Sequence, residues 1–383
     1  MSKSFSPFLE KFRRITAGIG YMPEIDGLRF VACCWVVVLM HLSNIINTNL
    51  YHGQLITDSF VSKIILEGGN GVPFFFMISG FILALPFLKE KQYNGPRVSL
   101  RKYYWRRLAR LEPPYIAALL IAFFLLVVVV KKYSASELTP NFFASLFYLH
   151  NTIFDSHSKV LGVAWSLEVE AVFYMLAPFL SYIFLVKHHI LRRLILLLFI
   201  TMGGIKQYYD FWNPGSPFIN FACYFLLGML LADLYAAKWR LINSSRLCCW
   251  FGVITFTGLH FVFSTDAVEL FFLKILLLAI FFYIGITNPW WKNLLSIQWI
   301  SIIGGMCYSI YLLHLLIMSA VTKLLIKIPI ENKLLGYAVY AVIILAAVLV
   351  GCAIFYRLVE QPCMRRDWYK KIFKRKLPVV TEN

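Results

Sequence analysis

Residues 334–356 read LLGYAVYAVIILAAVLVGCAIFY, twenty-three positions without one charged side chain. A helix crossing about 30 Å of hydrocarbon needs about 20 such residues. In lipid a helix satisfies every peptide group internally, so this stretch reads as a transmembrane helix. Similar runs occupy residues 27–46, 71–88, 113–130, 166–186, 194–209, 218–237, 247–264, 268–287 and 301–322, giving ten spans. The runs 194–209 and 247–264 are the weakest, being short or interrupted by glycine. The expected fold is an all-α integral membrane protein of about ten transmembrane helices.

Composition supports this reading. Of 383 residues, 60% are hydrophobic and 15% charged, against about 25% charged in soluble domains. A soluble chain of this length would divide into domains with polar surfaces that this composition cannot cover. A water-soluble enzyme, a disordered chain and a disulfide scaffold are excluded. The net charge of +18 would suit nucleic acid, but its distribution argues against that partner. Of the 37 Lys and Arg residues, 27 fall on one side of the ten-span topology and 8 on the other, with Arg29 and Lys274 inside spans. Such a bias puts both termini in the cytoplasm.

Residues 1–26 then form a cytoplasmic N-terminal segment, 27–357 the transmembrane domain and 358–383 a basic cytoplasmic tail. No small-residue cleavage site follows the first apolar run, which reads as an uncleaved helix. The eight cysteines lack paired CxxC spacing, which points to free thiols and no structural metal.

An ionisable side chain within a span is costly and marks a functional candidate. The candidates are Arg29, His41, Glu168, Glu170, Asp233, His260, Lys274 and His314. Asp233, His260 and Lys274 fall near span ends, where snorkelling to the interface accounts for them. At 1.5 Å per residue, His41 and His314 lie about 20 Å above the cytoplasmic face and Glu170 about 6 Å below the outer one. These three share a broadly similar depth.

Between spans, Arg107 and Arg110 fall on one helix face, and arginine grips phosphate bidentately. The competing account is a topology signal with a lipid-phosphate anchor. There is no Walker loop or Gly-rich dinucleotide fingerprint, so a phosphate ligand is more naturally held by side chains.

Six motifs in order resemble the membrane acyltransferase-3 family. Pro23-Glu24-Ile25-Asp26-Gly27-Leu28-Arg29 precedes an apolar run ending in His41. Gly71-Val72-Pro73-Phe74-Phe75-Phe76-Met77-Ile78-Ser79-Gly80-Phe81 is similar to the second-helix motif, and Arg106-Arg107-Leu108-Ala109-Arg110 to the basic Arg-x-x-Arg segment. Trp165-Ser166-Leu167-Glu168-Val169-Glu170 with Phe173-Tyr174 resembles the fourth-helix motif. Tyr308-Ser309-Ile310-Tyr311-Leu312-Leu313-His314 and Tyr356-Arg357-Leu358-Val359-Glu360-Gln361-Pro362 resemble the late helices.

The resemblance implies transfer of an acyl group, usually acetyl, from cytoplasmic acyl-CoA to a hydroxyl. Acceptors would be carbohydrates or glycolipids of the cell envelope, or exported polysaccharide, at the bacterial inner membrane. His41 would be the catalytic histidine, with Arg29 in support. Arg106, Arg107 and Arg110 would bind the acyl-CoA, with no metal. Trp165, Ser166 and His314 would lie on the acceptor side. His is the natural base for a hydroxyl, with Glu170 as the carboxylate that orients it, as in a triad; an acyl-histidine intermediate is the alternative scheme. A different class, a transporter or flippase for an anionic or glycosylated lipid, would use the same buried residues as relay and gate.

Four departures from the family pattern stand out. Arg29 and His41 are separated by eleven residues where the family has ten. At 100° per residue a step of twelve leaves them about 120° apart, against about 20° for eleven; either a π-bulge restores the face or Arg29 and His41 act separately. Ala171 replaces the second Glu of the fourth-helix motif, and Glu168 stands where Ser is frequent. Glu112 replaces an aromatic beside Pro113.

The topology carries its own test. Reporter fusions at Asn383 and within residues 131–165 are expected on opposite sides of the membrane; the same side for both would overturn it.

Overall fold

Backbone in lipid must satisfy its own hydrogen bonds, and in the computed structural model the regular elements of the described residues are all helices. Among its described residues, 11–14, 21–210, 217–239, 245–263 and 267–364, there is no strand. Much of the expected N-terminal segment and most of the basic tail lie outside these residues.

The principal helices are α1 (Pro23–Cys33), α2 (Gly71–Gln92), α3 (Leu100–Phe124), α4 (Ala164–Leu180), α5 (His189–Asp210), α6 (Pro217–Ala236), α7 (Ser245–Gly258), α8 (Val268–Thr287), α9 (Gln298–Gly305), α10 (Cys307–Leu325) and α11 (Lys333–Phe355). α1 winds on as a π-helix over Cys34–Leu42, and the helical stretch ends at Leu50. α11 continues through Tyr356–Glu360 to Cys363.

Eight stretches among the described residues are long and apolar enough to cross a membrane. The remaining two expected spans correspond to α5 and α7. α5 has 22 residues but carries Arg192, Arg193 and Lys206. α7 has 14 residues, about 21 Å at 1.5 Å per residue. The run 301–322 is not one helix: α9 and α10 meet at Met306, just after Gly304 and Gly305. Residues 131–165 are partly helical, over Ala135–Leu146 and His150–Phe154. This segment folds back on α3, where the Tyr115 hydroxyl donates to the Ser145 carbonyl at 2.8 Å and Tyr148 stacks on Tyr115 at 4.9 Å.

Glycines set the closest helix approaches, as small residues do where lipid supplies no hydrophobic drive. A Cβ on Gly80 of α2 would lie 2.2 Å from the Phe225 carbonyl oxygen of α6, and one on Gly228 of α6 would lie 2.2 Å from that of Met77. At Gly304 of α9 it would lie 1.7 Å from the Asp26 carbonyl oxygen of α1. The last contact holds the start of α1, and therefore Asp26 and Arg29, in place.

Snorkelling does not describe Asp233, His260 and Lys274. Asp233 is fully buried and pairs with Arg192 (2.5 Å) and Arg193 (2.7 Å) of α5. Lys274 is buried against Glu67. His260 bonds the Phe256 carbonyl through Nδ1 and takes the Trp35 indole N–H on Nε2, each at 3.0 Å. Position along a span does not reveal a partner on another helix, and these partners make burial less costly than the stretch to water.

Gly304→Ala is expected to lower the thermal midpoint of the purified protein, because the new methyl meets backbone rather than a flexible side chain; overpacking of this kind costs about 1–3 kcal/mol. Gly258→Ala, with only Leu277 Cδ1 at 3.6 Å, is the matched control. Equal midpoints for the two variants would refute the packing account.

Candidate active site

α1, α2, α3, α4 and α10 surround a cleft of ≈ 730 Å³, its open mouth included. Phe75, Phe76, Ile82, Leu83 and Leu167 make its apolar wall; Arg29, Arg107, Arg110, Glu170, Tyr174, Tyr308 and Tyr311 supply polar groups. The chemistry is graded along α10. Cys307 and Tyr308 lie at the arginine end, where the Tyr308 hydroxyl donates to the Leu111 carbonyl at 2.9 Å. Tyr311 lies one turn further on.

At the arginine end Asp26 is nearly fully buried and accepts from Arg29 (2.5 Å) and Arg14 (3.0 Å). Outside the spans, burial and then the nearby Arg110 make Arg14 easier to deprotonate, while Asp26 opposes them. The Tyr21 hydroxyl is pushed up to about 12 by burial and then by Asp26. Glu360 is fully buried and accepts from the Ser309 N–H (3.1 Å) and hydroxyl (2.5 Å). Arg107 lies over the Tyr174 ring at 5.7 Å. The Nε groups of both Arg107 and Arg110 are buried and make no hydrogen bond among the described residues. Buried donors without partners are uncommon in folded proteins; two of them in one cleft suit an anion with several acceptor oxygens.

The sequence-derived site is brought together only in part. Arg107 and Arg110 line the cleft, but Arg106 is exposed; one helical step turns it about 100° away, so it does not belong with the pair. Arg29 lines the cleft, whereas His41 is absent from its wall. The π segment Cys34–Leu42 contains His41. Each residue in it takes up less rotation than in an α-helix, which reduces the phase offset created by the extra residue.

Glu170 does not orient His41. Its Oε1 accepts from Ser79 (2.8 Å) and from Tyr174, because its face of α4 turns toward α2 and α3. His41 is partnered by His314: Nδ1 of the first lies 2.8 Å from Nε2 of the second, with ring centroids 5.0 Å apart. Ser166 is buried in the cleft wall and donates to the Val163 carbonyl (3.2 Å), so the Tyr311 hydroxyl, 2.7 Å away, donates to Ser166. Trp165 lies beside His157 (6.0 Å) and Phe221 (5.4 Å), off the cleft. Glu168 caps the short helix after Leu149, its Oε2 accepting from the Asn151 N–H (3.0 Å) and amide (2.9 Å).

Asp26, Ser79, Tyr174, Tyr311 and Glu360 were given no role by charge and depth alone. All lie inside the quoted motifs, the one signal that could have singled them out.

Residues 22–357 match the acyltransferase-3 family model, described as an acyltransferase domain. The O-acetyltransferase OatA of Staphylococcus aureus strain NCTC 8325 is 25% identical over 386 residues, covering 91% of this chain and 58% of the relative. A candidate O-acetyltransferase of S. aureus strain MSSA476 is 24% identical over 385 residues, covering 92% of this chain and 58% of the relative. The chain thus spans less than two thirds of the length of the curated relatives it matches. No solved structure matches it. With one family model covering most of its length, this chain belongs to the acyltransferase-3 family of membrane proteins.

Proposed function

We propose that this protein is a membrane O-acyltransferase that moves an acyl group, acetyl in the simplest case, from cytoplasmic acyl-CoA to a carbohydrate hydroxyl of the cell envelope or of an exported polysaccharide, working in the bacterial plasma membrane. The observation that carries the reading is the graded cleft. Unpartnered arginine donors stand at one end, and Tyr311 at the other lies beside the histidine pair, 6.0 Å from the His314 ring. Acyl-CoA has the matching form, with phosphates at one end and a thioester at the end of a long arm. The O-acetyltransferase names of the relatives support the same chemistry.

Arg107 and Arg110 hold phosphate oxygens through charge-assisted bonds. The arm runs along the apolar wall, and the thioester passes Tyr311 to reach His41. The acceptor comes from the opposite side, where residues 131–165 fold in. His41 takes the hydroxyl proton as oxygen attacks the thioester carbonyl, then returns it to the departing thiolate. Glu170, held by Ser79 and Tyr174, lines the cleft and positions the arm.

His41→Ala is expected to cut acyl transfer from acetyl-CoA by about 10²–10⁴-fold, with expression and CoA binding near wild type. Near-normal turnover by the purified variant would overturn His41 as the base.

Arg107→Ala is expected to weaken CoA binding by about tenfold or more, since hydrogen bonds to charged groups are worth about 1.5–3 kcal/mol. Unchanged CoA affinity in a well-expressed variant would favour the lipid-anchor account of these arginines.

A further inference from the structure

We infer that His314 is a positioning residue that fixes His41 in one tautomer, with the hydrogen on Nδ1 and the lone pair on Nε2. The inference rests on His41 being the base, and it follows from where hydrogens can sit. His314 Nδ1 lies 3.0 Å from the Ile310 carbonyl oxygen and 2.9 Å from that of Tyr311. Carbonyl oxygens only accept, so this nitrogen carries the hydrogen. A neutral imidazole has one N–H, which leaves His314 Nε2 as an acceptor. That nitrogen is 2.8 Å from His41 Nδ1, and the contact needs one hydrogen, so His41 Nδ1 donates it. His41 Nε2 is therefore bare.

Two features make the assignment firm. The carbonyls that orient His314 belong to the preceding turn of its own helix, so its tautomer is set locally, before His41 is considered. His314 is also fully buried, and an unpaired charge there is costly. Charging it would put a second hydrogen on Nε2 and force His41 into the opposite tautomer.

Orientation by a partner on the second ring nitrogen is how histidine ligands and bases are commonly tuned. Here the partner is a neutral imidazole instead of a carboxylate. During transfer the acceptor oxygen–carbon bond forms and the carbon–sulfur bond breaks. The hydroxyl proton goes to His41 Nε2 and then to the CoA thiolate. His314 takes no proton; it accepts the Nδ1–H throughout, more strongly while His41 is an imidazolium. An acyl-histidine route needs the same bare Nε2, so the inference holds for either scheme.

The test is nitrogen NMR of the purified protein carrying ring-¹⁵N histidine. The chain has eight histidines, and the His41 signals are identified by their loss in His41→Ala. The expected result is a protonated-type Nδ1 and an unprotonated-type Nε2 for His41. His314→Leu should shift His41 toward the Nε2–H form and lower kcat by up to about 10⁴-fold, the loss seen when a triad histidine is held in the wrong tautomer, with KM for acetyl-CoA unchanged. His314→Gln supplies an amide oxygen as acceptor and should recover both the Nδ1–H signal and rate relative to the Leu variant. A protonated Nε2 on His41 in the wild type overturns the inference, and that measurement needs no folded His314 variant. An unchanged His41 tautomer in folded His314→Leu overturns it as well. Retained transfer by His41→Ala would instead overturn the assignment of His41 as base, leaving the measured tautomer as it is.

Discussion

An ionisable group in the interior of a bilayer must find its partner within the protein, because water is not there to serve. That constraint organises this molecule. Asp233 of α6 is held by two arginines of α5, Lys274 of α8 by Glu67, and Asp26 of α1 by Arg14 and Arg29. The Asp233 and Lys274 pairs tie together segments far apart in sequence, 41 and 207 positions for Arg192–Asp233 and Glu67–Lys274, whereas Asp26 joins its own helix turn to the segment just before it. Removing one member would leave the other as a buried unpaired charge, a costlier state than losing the pair altogether. The polar groups are thus fasteners as much as chemistry.

Where no ion pair is available, close backbone approach takes over. Gly80 and Gly228 bring α2 and α6 into contact, and Gly304 brings α9 against α1. The last contact matters most for the site, because the same turn of α1 presents Asp26 and Arg29 to the arginine end of the cleft. The break between α9 and α10 at Met306 starts α10 anew beside Leu111. Tyr308 and Tyr311 are thereby placed in the cleft wall, with His314 behind them. A straight helix through 301–322 would have no reason to do so.

The cleft separates two kinds of chemistry. Its cationic end has donors to spare, with Asp26 and Glu360 neutralising only part of the local charge. Its far end has a hydroxyl pair, Ser166 and Tyr311, and then two imidazoles in contact. Glu170 sits between, bonded to Ser79 and Tyr174. In the proposed reaction, anion recognition and proton transfer would therefore not compete for the same side chains, and the apolar wall between them would suit an uncharged arm.

Much of this was legible in the sequence. Runs such as 334–356 require membrane helices for energetic reasons that need no tertiary information, and depth along a helix follows from its rise. His41, Arg29, Arg107, Arg110 and Glu170 stood out because charge in a span, or a basic helix face, is rare unless used. The one-residue excess between Arg29 and His41 left two readings open, a π-bulge or two residues acting separately, and only the structure shows the π segment. Pairing between helices was not legible. Nothing in local periodicity says that His41 meets His314, 273 positions away, instead of Glu170 at similar depth, or that Asp233 turns inward to α5 instead of outward to the interface. Those choices depend on how each helix is rotated about its axis. Rotation is decided by the whole bundle, through glycine contacts and buried partners contributed by many segments at once.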